Sequence, residues 1–316
     1  MAKYILKRVL RAAVTLFIII TVLFSLLRLM PIEGYFDNFD KVSDLEIQVK
    51  LNSLGLNDPL PKQLGRFYGQ LLRGDLGTSN IYQRGTSINE IIAKKIPVSV
   101  RFGLISFGLS LVMGLALGIW MSYSTRTVFK IGDRLGTVLI VVVQAVPSAV
   151  YHIVIQFVGS QYAQLPMLFK EDNPVSWILP ILSLSIGSTA YYAMWLRRYM
   201  VDEANKDYVK LARAKGVPGG TISRRHVFRN AIVPMVQYIP GSILSTLMGS
   251  LYVESLYSIP GMGGLLVTAI KRQDNTLVQA LVLIYAVISI LGLLFGDILM
   301  AIVDPRISLA RKEDAR

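Results

Sequence analysis

Residues 102–125 read FGLISFGLSLVMGLALGIWMSYST and contain no Asp, Glu, Lys or Arg. A helix needs about 20 mostly apolar residues to cross the hydrocarbon core of a bilayer. Five other stretches without charge occur at residues 12–27, 135–169, 173–196, 230–253 and 275–296. The first of these is short, but it reaches the needed length if Arg11 and Arg28 extend their charged ends to the two interfaces.

The composition agrees with a membrane protein. Hydrophobic residues make up 53% of the chain and charged residues only 17%, and the mean hydropathy is +0.51. Polar residues must cover the outside of a soluble fold, and this chain has too few of them. We therefore predict an all-α, polytopic membrane helix bundle with six transmembrane helices. The predicted spans lie near residues 10–30, 99–123, 135–159, 176–200, 231–256 and 278–303.

The net charge of +13 follows the predicted topology. Basic residues are concentrated in the N-terminal tail, in the loop from Arg126 to Arg134, and in the loop from Arg197 to Arg229. Segment 31–97 carries equal numbers of basic and acidic residues. An excess of Lys and Arg on alternate loops predicts that both termini are cytosolic. The basicity therefore gives no reason to expect a nucleic-acid partner.

Segment 31–97 is too long for a simple hairpin between two spans. Ser43 with Glu46, and Ser87 with Glu90, have the spacing of capping boxes. We expect two or three short external helices at the mouth of the bundle, and a solvated loop without function is the alternative. The predicted division is a tail and first helix at 1–30, an external insertion at 31–97, a transmembrane domain at 98–305 and a cytosolic tail at 306–316.

Within that domain, loop 201–230 also has the sequence of a folded segment. Residues Asp202 to Lys215 predict one helix that ends at Gly216, and Thr221 is a candidate N-cap for the next helix. Four residues at i, i+3, i+4 and i+7 predict one shared apolar and cationic face. They are Tyr208, Leu211, Ala212 and Lys215.

Several motifs carry a family resemblance. Residues 207–216 read DYVKLARAKG and residues 230–234 read NAIVP. This pattern resembles the cytoplasmic loop of ABC importer permeases in the dipeptide/oligopeptide/nickel family, and it is most similar to the B-type oligopeptide permease subunit. Further similar motifs, in the same order, lie at residues 54–60, 72–79, 253–263 and 304–306. Two departures are Lys210-Leu211-Ala212, where the wider superfamily has Glu-Ala-Ala, and Ala149, where the branch often has an aromatic residue.

The resemblance implies a set of partners in the cytoplasmic (inner) membrane of a prokaryote. They are a second homologous permease forming a heterodimer, two ABC ATPase subunits, an extracytoplasmic peptide-binding protein, a peptide substrate and membrane lipid. ATP and Mg would be bound by the ATPases, and no cofactor is expected in this chain. The residues that would couple to the ATPase are Asp207, Tyr208, Leu211, Ala212, Ala214, Lys215, Gly216 and Arg225.

No enzymatic activity is expected of the chain itself. It contains no G-x-x-x-x-G-K-[ST] phosphate-binding motif and no cysteine. Its two histidines, His152 and His226, are too few and too far apart in sequence to predict a metal site.

A translocation pathway is predicted from polar residues within the third span. Gln144, Ser148, His152, Gln156 and Ser160 recur at every fourth position, so on one helix they would form one stripe. Such a stripe either lines a water-filled pathway or forms hydrogen bonds between helices. Glu254 is likewise either part of an external gate or an interfacial carboxylate near the headgroups, whereas Asp297 is expected to be structural.

Three alternative functions remain open. Within the family, the cargo is either peptide or nickel or a metal chelate. A secondary transporter would need inverted repeats and membrane-buried acids, which the sequence does not display. A membrane sensor with a ligand-binding segment 31–97 is the third alternative.

Overall fold

The computed structural model describes residues 2–29, 31–36, 39, 42–125 and 127–303. The motif at 304–306 and the tail at 306–316 lie outside these residues. The described secondary structure is helical except for one isolated antiparallel bridge between Thr78 and Ser87. The helices are α1 (Ala2–Leu27), α2 (Asp44–Leu54), α3 (Leu60–Leu72), α4 (Ile88–Ser124), α5 (Ile131–Ala145), α6 (Ser148–Gln161), α7 (Ile178–Ala204), α8 (Asp207–Ala214), α9 (Gly219–Thr221), α10 (Arg229–Ala231), α11 (Val233–Val236), α12 (Tyr238–Met248), α13 (Leu251–Leu256), α14 (Met262–Lys271) and α15 (Asn275–Val303). Ile32–Tyr35 and Pro174–Trp177 are 3₁₀-helical, and Ile222–Phe228 is π-helical.

Four helical segments are long and apolar enough to cross a membrane. They are Ile5–Leu27, Ile88–Ser124, Pro174–Ala204 and Asn275–Met300. Two bent helix pairs also satisfy this test, which raises the number of candidate spans to at most six. The helical membrane fold is therefore confirmed. Four candidate spans are continuous, and the predicted number of six is reached only if each bent pair is one span.

The span predicted near 135–159 is a bent helix pair rather than one straight helix. Helices α5 and α6 are bent relative to each other by 109°. Between them, Val146 has an extended backbone (φ −81°, ψ 130°) and Pro147 follows it. Proline has no N–H to donate and disfavours helical geometry in the residue before it, so the helix ends here.

The span predicted near 231–256 is likewise bent and consists of several helices. The segments Gly219–Val236 and Tyr238–Leu256 are bent by 49°. Helix α12 then ends at Gly249, whose φ of 66° is in the left-handed region, and Ser250 starts α13 by accepting the Val253 N–H. Glycine adopts positive φ without steric penalty, so this position allows a sharp change of direction.

Helices α4 and α7 form the most extensive helix pair. Gly114 and Gly118 of α4 let the two backbones approach closely. A Cβ atom on Gly114 would lie 2.7 Å from the Tyr192 Cβ, and one on Gly118 would lie 2.9 Å from the Ala193 carbonyl oxygen. Small residues four positions apart are typical of close helix packing in membranes.

The short helices predicted for segment 31–97 are present. Ser43 and Glu46 form the predicted capping box, but the Ser87 side chain makes no capping hydrogen bond. The segment packs on the bundle through aromatic contacts, including Phe24–Phe67 at 4.6 Å between ring centroids. The loop that contains Ile81 and Tyr82 is also held in place by Asp274. This fully buried carboxylate lies just before α15 and accepts the Ile81 and Tyr82 N–H groups at 3.0 and 2.9 Å.

Candidate functional site

Two regions of the described structure have the features of functional sites. The first is the interhelical loop, defined here as residues 205–231, which connects α7 to α11. The helix predicted from Asp202 to Lys215 is wrong, because α7 ends at Ala204 and α8 begins at Asp207. Thr221 is not an N-cap either, since it lies inside α9 and the preceding cap position is Pro218.

A small apolar core lies under α8. Val209 is fully buried and Ala212 is 8% exposed, and both belong to a cluster of residues from α7, the π-helical segment and α10. The predicted shared face is therefore wrong for Ala212, which packs inside its own chain. Leu211 is 55% exposed, and Ala214 and Lys215 are also exposed, so the accessible surface of α8 lies on the opposite side.

Tyr208 links α8 to both neighbouring helices. Its hydroxyl donates to the Glu203 carboxylate at the end of α7 and accepts from the Asn230 side chain at 2.8 Å. Burial raises the pKa of the Tyr208 phenol, and the hydrogen bond to Glu203 raises it further. The phenol therefore remains protonated at ordinary pH and keeps its role as donor.

Gly216 ends the turn after α8. Its φ is +75°, and no atom lies within 4 Å of the position of an added Cβ. The Val217 N–H closes the turn on the Ala212 carbonyl oxygen at 3.1 Å. Glycine is needed here for its backbone conformation rather than for space. Arg225, on the π-helical segment, is exposed.

The second region is a series of cavities between the long helices. The large cavity, about 750 Å³, lies between α7, α12 and α15, with Arg8 and Asp297 in its wall. The serine cavity, about 210 Å³, lies between α4, α7 and α12. The two share four wall residues: Ser188, Tyr192, Ser242 and Ser245. The Tyr192 and Ser242 hydroxyls are hydrogen-bonded at 2.8 Å across this boundary.

Glu254 separates the serine cavity from a third space. That end cavity, about 330 Å³, lies beside segment 31–97 and is lined by Lys95 and Lys271 as well as Glu254. Glu254 is only 2% exposed, so its carboxylate is enclosed by protein. Its Oε1 accepts the Ser99 hydroxyl at 2.8 Å, and its Oε2 accepts the Gly264 N–H at 3.0 Å.

The predicted polar stripe is divided by the bend in the third span. Gln144 lies on α5, and the other four residues lie on α6, so they do not share one helix face. Gln144 and Ser148 line a side cavity of about 420 Å³ that adjoins the large cavity at Tyr191.

His152 and Gln156 are buried instead. The Gln156 amide donates to the Met167 and Leu256 carbonyl oxygens at 3.0 and 3.2 Å. For Gln156, the structure therefore shows hydrogen bonding within the protein, which was the alternative to lining a pathway.

Sequence reasoning missed most of the cavity wall. Ser99, Ser106 and Ser110 lie on one face of α4 at spacings of seven and four residues. Their helical periodicity was a usable signal, but it was weak because serine is common in membrane helices. Ser188, Ser242 and Ser245 carry no comparable pattern.

Comparison with known proteins identifies the family. Residues 114–309 match the binding-protein-dependent transport system inner membrane component family. The chain belongs to this family. The resemblance inferred from the motifs is thereby confirmed, and the chain is a membrane permease component of an ABC importer.

The relatives of this permease include two that match almost end to end. A dipeptide transport system permease of Lactococcus lactis is 32% identical over 98% of this chain and 100% of its own length. An oligopeptide transport system permease of Haemophilus influenzae is 31% identical over 97% of this chain and 99% of its own length. The crystal structure of an amino acid ABC transporter with histidines matches 69% of this permease and 94% of its own chain. Its sequence is 15% identical and the TM-score is 0.50, which shows the fold.

Proposed function

We propose that this chain is the pathway-forming permease of an ATP-driven importer of dipeptides or oligopeptides. The relatives named above are dipeptide and oligopeptide permeases. The observation that carries the proposal is the chain of hydroxyl-lined cavities between α4, α7 and α12. A peptide backbone presents donors and acceptors along its length, and neutral hydroxyls can serve both.

Glu254 acts in this proposal as an outer barrier. It lies in the wall between the end cavity and the serine cavity, and its hydrogen bonds connect α4, α13 and α14. Passage of a substrate requires these contacts to separate, and alternating access requires them to re-form. The expectation of an external gate at Glu254 is therefore retained.

The interhelical loop is the part of the chain that couples to the ATPase. Leu211, Ala214 and Lys215 form an exposed surface on α8, and Gly216 follows it. In the assembled importer, this surface docks on an ATPase subunit that binds ATP and Mg. Because α8 shares its apolar core with α7, displacement of the loop moves a helix that also lines the cavities.

The proposed assembly contains this permease, a second and related permease, two ATPases and an extracytoplasmic peptide-binding protein. It lies in the inner membrane of a prokaryote with both termini of this chain on the cytosolic side. Stable, transport-competent homodimers of the purified chain would contradict the heterodimer.

Reconstitution tests the proposed function. The chain would be purified from native membranes with its associated subunits, inserted into liposomes and supplied with binding protein and ATP. We expect ATP-dependent accumulation of a labelled short peptide. Accumulation of a nickel chelate in place of peptide would assign the alternative cargo, and uptake driven by an ion gradient without ATP would reject the importer.

Cysteine labelling tests the pathway, because the natural chain contains no cysteine. Ser188 and Ser183 both lie on α7, but Ser188 is exposed in the cavities and Ser183 is 1% exposed. In the assembled importer we expect a charged thiol reagent to modify Ser188→Cys in at least one state of the ATP cycle and to leave Ser183→Cys unmodified. Protection of Ser188→Cys in every state would exclude the cavities from the pathway.

A further inference from the structure

A separate cavity, named here the insertion cavity, lies between segment 31–97 and the helix bundle. Its volume is about 320 Å³, and its wall is formed by α2, α3, the loop that follows α3, and the adjoining ends of α1 and α15. It shares no described wall residue with the large, serine, side or end cavities. The charged residues in the described part of its wall are Arg28, Arg66 and Asp75. The proposed pathway therefore does not account for this charged space.

Among the described residues, Arg28 is a cation without an anionic partner. Its Nη1 donates to the Tyr35 hydroxyl at 3.0 Å, and its guanidinium carbon lies 4.6 Å from the centroid of the Phe24 ring. Its Nε has no hydrogen-bond partner, and no carboxylate of the described residues forms an ion pair with it. Arg66 differs, because Asp58 pairs with it at 2.5 Å. A guanidinium has five N–H donors, so Arg28 retains both charge and donors for a ligand.

The position of Arg28 indicates which anion is available to it. Arg28 directly follows the candidate span Ile5–Leu27, so its charge lies at the level of the lipid headgroups rather than in the hydrocarbon. The neighbouring side chains of Leu26 and Leu29 are exposed and present an apolar surface to acyl chains. The anion that phospholipids place at this level is phosphate, and arginine binds phosphate through two parallel hydrogen bonds.

Helix α3 lies beside the half of this span that ends near Arg28. The Tyr68 hydroxyl donates to the Phe17 carbonyl oxygen at 3.1 Å and lies 2.7 Å from the Thr21 hydroxyl. The apolar side chain of Leu72 on α3 is exposed. Three polar residues of the helix line the cavity instead: Gln63, Arg66 and Gln70. A helix with one apolar and one polar side is typical of the boundary between acyl chains and headgroups, so the cavity wall lies in the headgroup layer.

We propose that the insertion cavity binds the headgroup of a phospholipid, with the lipid phosphate hydrogen-bonded to Arg28. Asp75 lies in the same wall, where its Oδ1 accepts the Gly77 N–H at 2.9 Å and its other oxygen is left to pair with a headgroup amine. One unpaired cation and one carboxylate fit phosphatidylethanolamine, which carries a phosphate and a primary amine. In the proposed topology this lipid belongs to the extracytoplasmic leaflet. The inference goes beyond the proposed function and does not depend on the cargo.

Lipid binding is measured with the complete importer, purified in detergent and freed of native lipid. A short-chain phosphatidylethanolamine is added, and the unfolding temperature is followed over lipid concentration. A ligand that binds only the folded state raises this temperature. We expect Arg28→Gln to need roughly tenfold more lipid for the same rise, because a hydrogen-bonded charge pair is lost. Arg28→Lys should be intermediate, because an ammonium keeps the charge but cannot form the bidentate pair.

Arg73 provides the matched control for Arg28. It is exposed, directly follows α3 and is not part of the cavity wall, so Arg73→Gln should respond to lipid as the wild type does. Equal weakening by Arg28→Gln and Arg73→Gln would show a general attraction between basic residues and lipid and would overturn the site. Asp75→Asn should abolish the preference for phosphatidylethanolamine over phosphatidylcholine, whose amine has no N–H. A preference that persists in this variant would overturn the contact between the amine and Asp75.

Protection from a thiol reagent locates the lipid without changing Arg28. Gln70 and Arg73 are both exposed, but only Gln70 lines the cavity, and the natural chain contains no cysteine. We expect phosphatidylethanolamine to slow the labelling of Gln70→Cys several-fold and to leave the labelling of Arg73→Cys unchanged. Unchanged labelling of Gln70→Cys would place the lipid elsewhere and overturn the inference, even if Arg28→Gln fails to assemble.

Two soluble probes distinguish a lipid site from a site for soluble anions. Inorganic phosphate carries the anion alone, and glycerophosphoethanolamine carries the complete headgroup without acyl chains. We expect neither probe to protect Gln70→Cys at the concentrations at which the lipid does, because the apolar contacts beside Arg28 are made only with acyl chains. Protection by either probe at these concentrations would assign the cavity to a soluble phosphate compound and overturn the lipid.

Discussion

Helix α7 contributes residues both to the apolar core under the interhelical loop and to the cavity wall, but the two regions differ in their chemistry. In the loop, the residues beneath α8 are apolar and closed to solvent. The exposed fraction of both Val209 and Val227, for example, is 0%. In the cavities, α7 presents hydroxyl groups, and Tyr192 reaches Ser242 across a water-accessible boundary. A close-packed apolar cluster has low compressibility and moves as a unit, whereas a hydroxyl can exchange its partner for water at small net cost. The loop is therefore suited to transmit a displacement, and the cavity wall is suited to yield to it.

The largest expected effect comes from a charge placed inside the loop. Ala212→Asp would put a carboxylate without a partner into the apolar cluster under α8, where Ala212 is 8% exposed. An uncompensated buried charge costs about 3–5 kcal/mol, so we expect the loop to detach and peptide uptake to be lost. Thermal unfolding in detergent and uptake in liposomes would measure the two effects.

The control for that substitution is two residues away. Ala214 is exposed on the same helix, so Ala214→Asp adds the same charge without burying it. We expect its unfolding temperature to match the wild type, although it lies on the proposed ATPase-facing surface and should reduce retention of the ATPase. Equal destabilisation by both substitutions would show that the core under α8 does not hold the loop.

An intermediate effect is expected at the outer end of the cavities. Glu254→Gln replaces one of two acceptor oxygens by an amide that only donates, next to the Ser99 hydroxyl and the Gly264 N–H. An unmatched buried donor costs about 1–3 kcal/mol. We expect the barrier to loosen, which thiol labelling of Ser106→Cys, in the wall of the serine cavity, would report from the outside. Unchanged labelling of Ser106→Cys in the Glu254→Gln background would remove Glu254 from the barrier.

The sequence predicted the membrane fold because the absence of charge is a direct physical requirement for crossing a bilayer. Pro147 indicates a local bend in the third span, but the sequence did not predict that the bend is as large as 109°. Hydropathy is the same on both sides of Pro147, and many membrane helices tolerate proline when neighbouring groups satisfy the backbone. The direction of α6 depends on packing against α7 and α13, which the sequence does not display.

The site was predicted in outline but not in orientation. Periodicity placed Ala212 with Leu211 on one face of a helix, but both sides of α8 carry small or apolar residues, so the pattern could not distinguish the buried side. Asp274 was missed because its partners include the backbone N–H groups of Ile81 and Tyr82. Every residue type except proline has such a group, so the side chains at these positions give no sign of the contact. Buried carboxylates satisfied by backbone donors leave no signature in a single sequence.

The smallest effect isolates backbone conformation at the end of α8. Gly216 and Gly219 both lie where an added Cβ would meet no atom within 4 Å, but only Gly216 has a positive φ, of +75°. Gly216→Ala should therefore cost about 1 to 2 kcal/mol, because a residue with a Cβ is strained in the left-handed region. Gly219→Ala should change the stability by less than about 0.5 kcal/mol, as is usual at an exposed position without special geometry. Gly216→Asn should recover part of the loss, since asparagine tolerates this conformation better than alanine. If the strain reaches the ATPase contact, Gly216→Ala will also lower the uptake obtained per ATP hydrolysed, while Gly219→Ala will not. Equal unfolding temperatures and equal coupling for the two alanine variants would show that the turn at Gly216 can adopt another conformation, and that the apolar core under α8 alone fixes the loop.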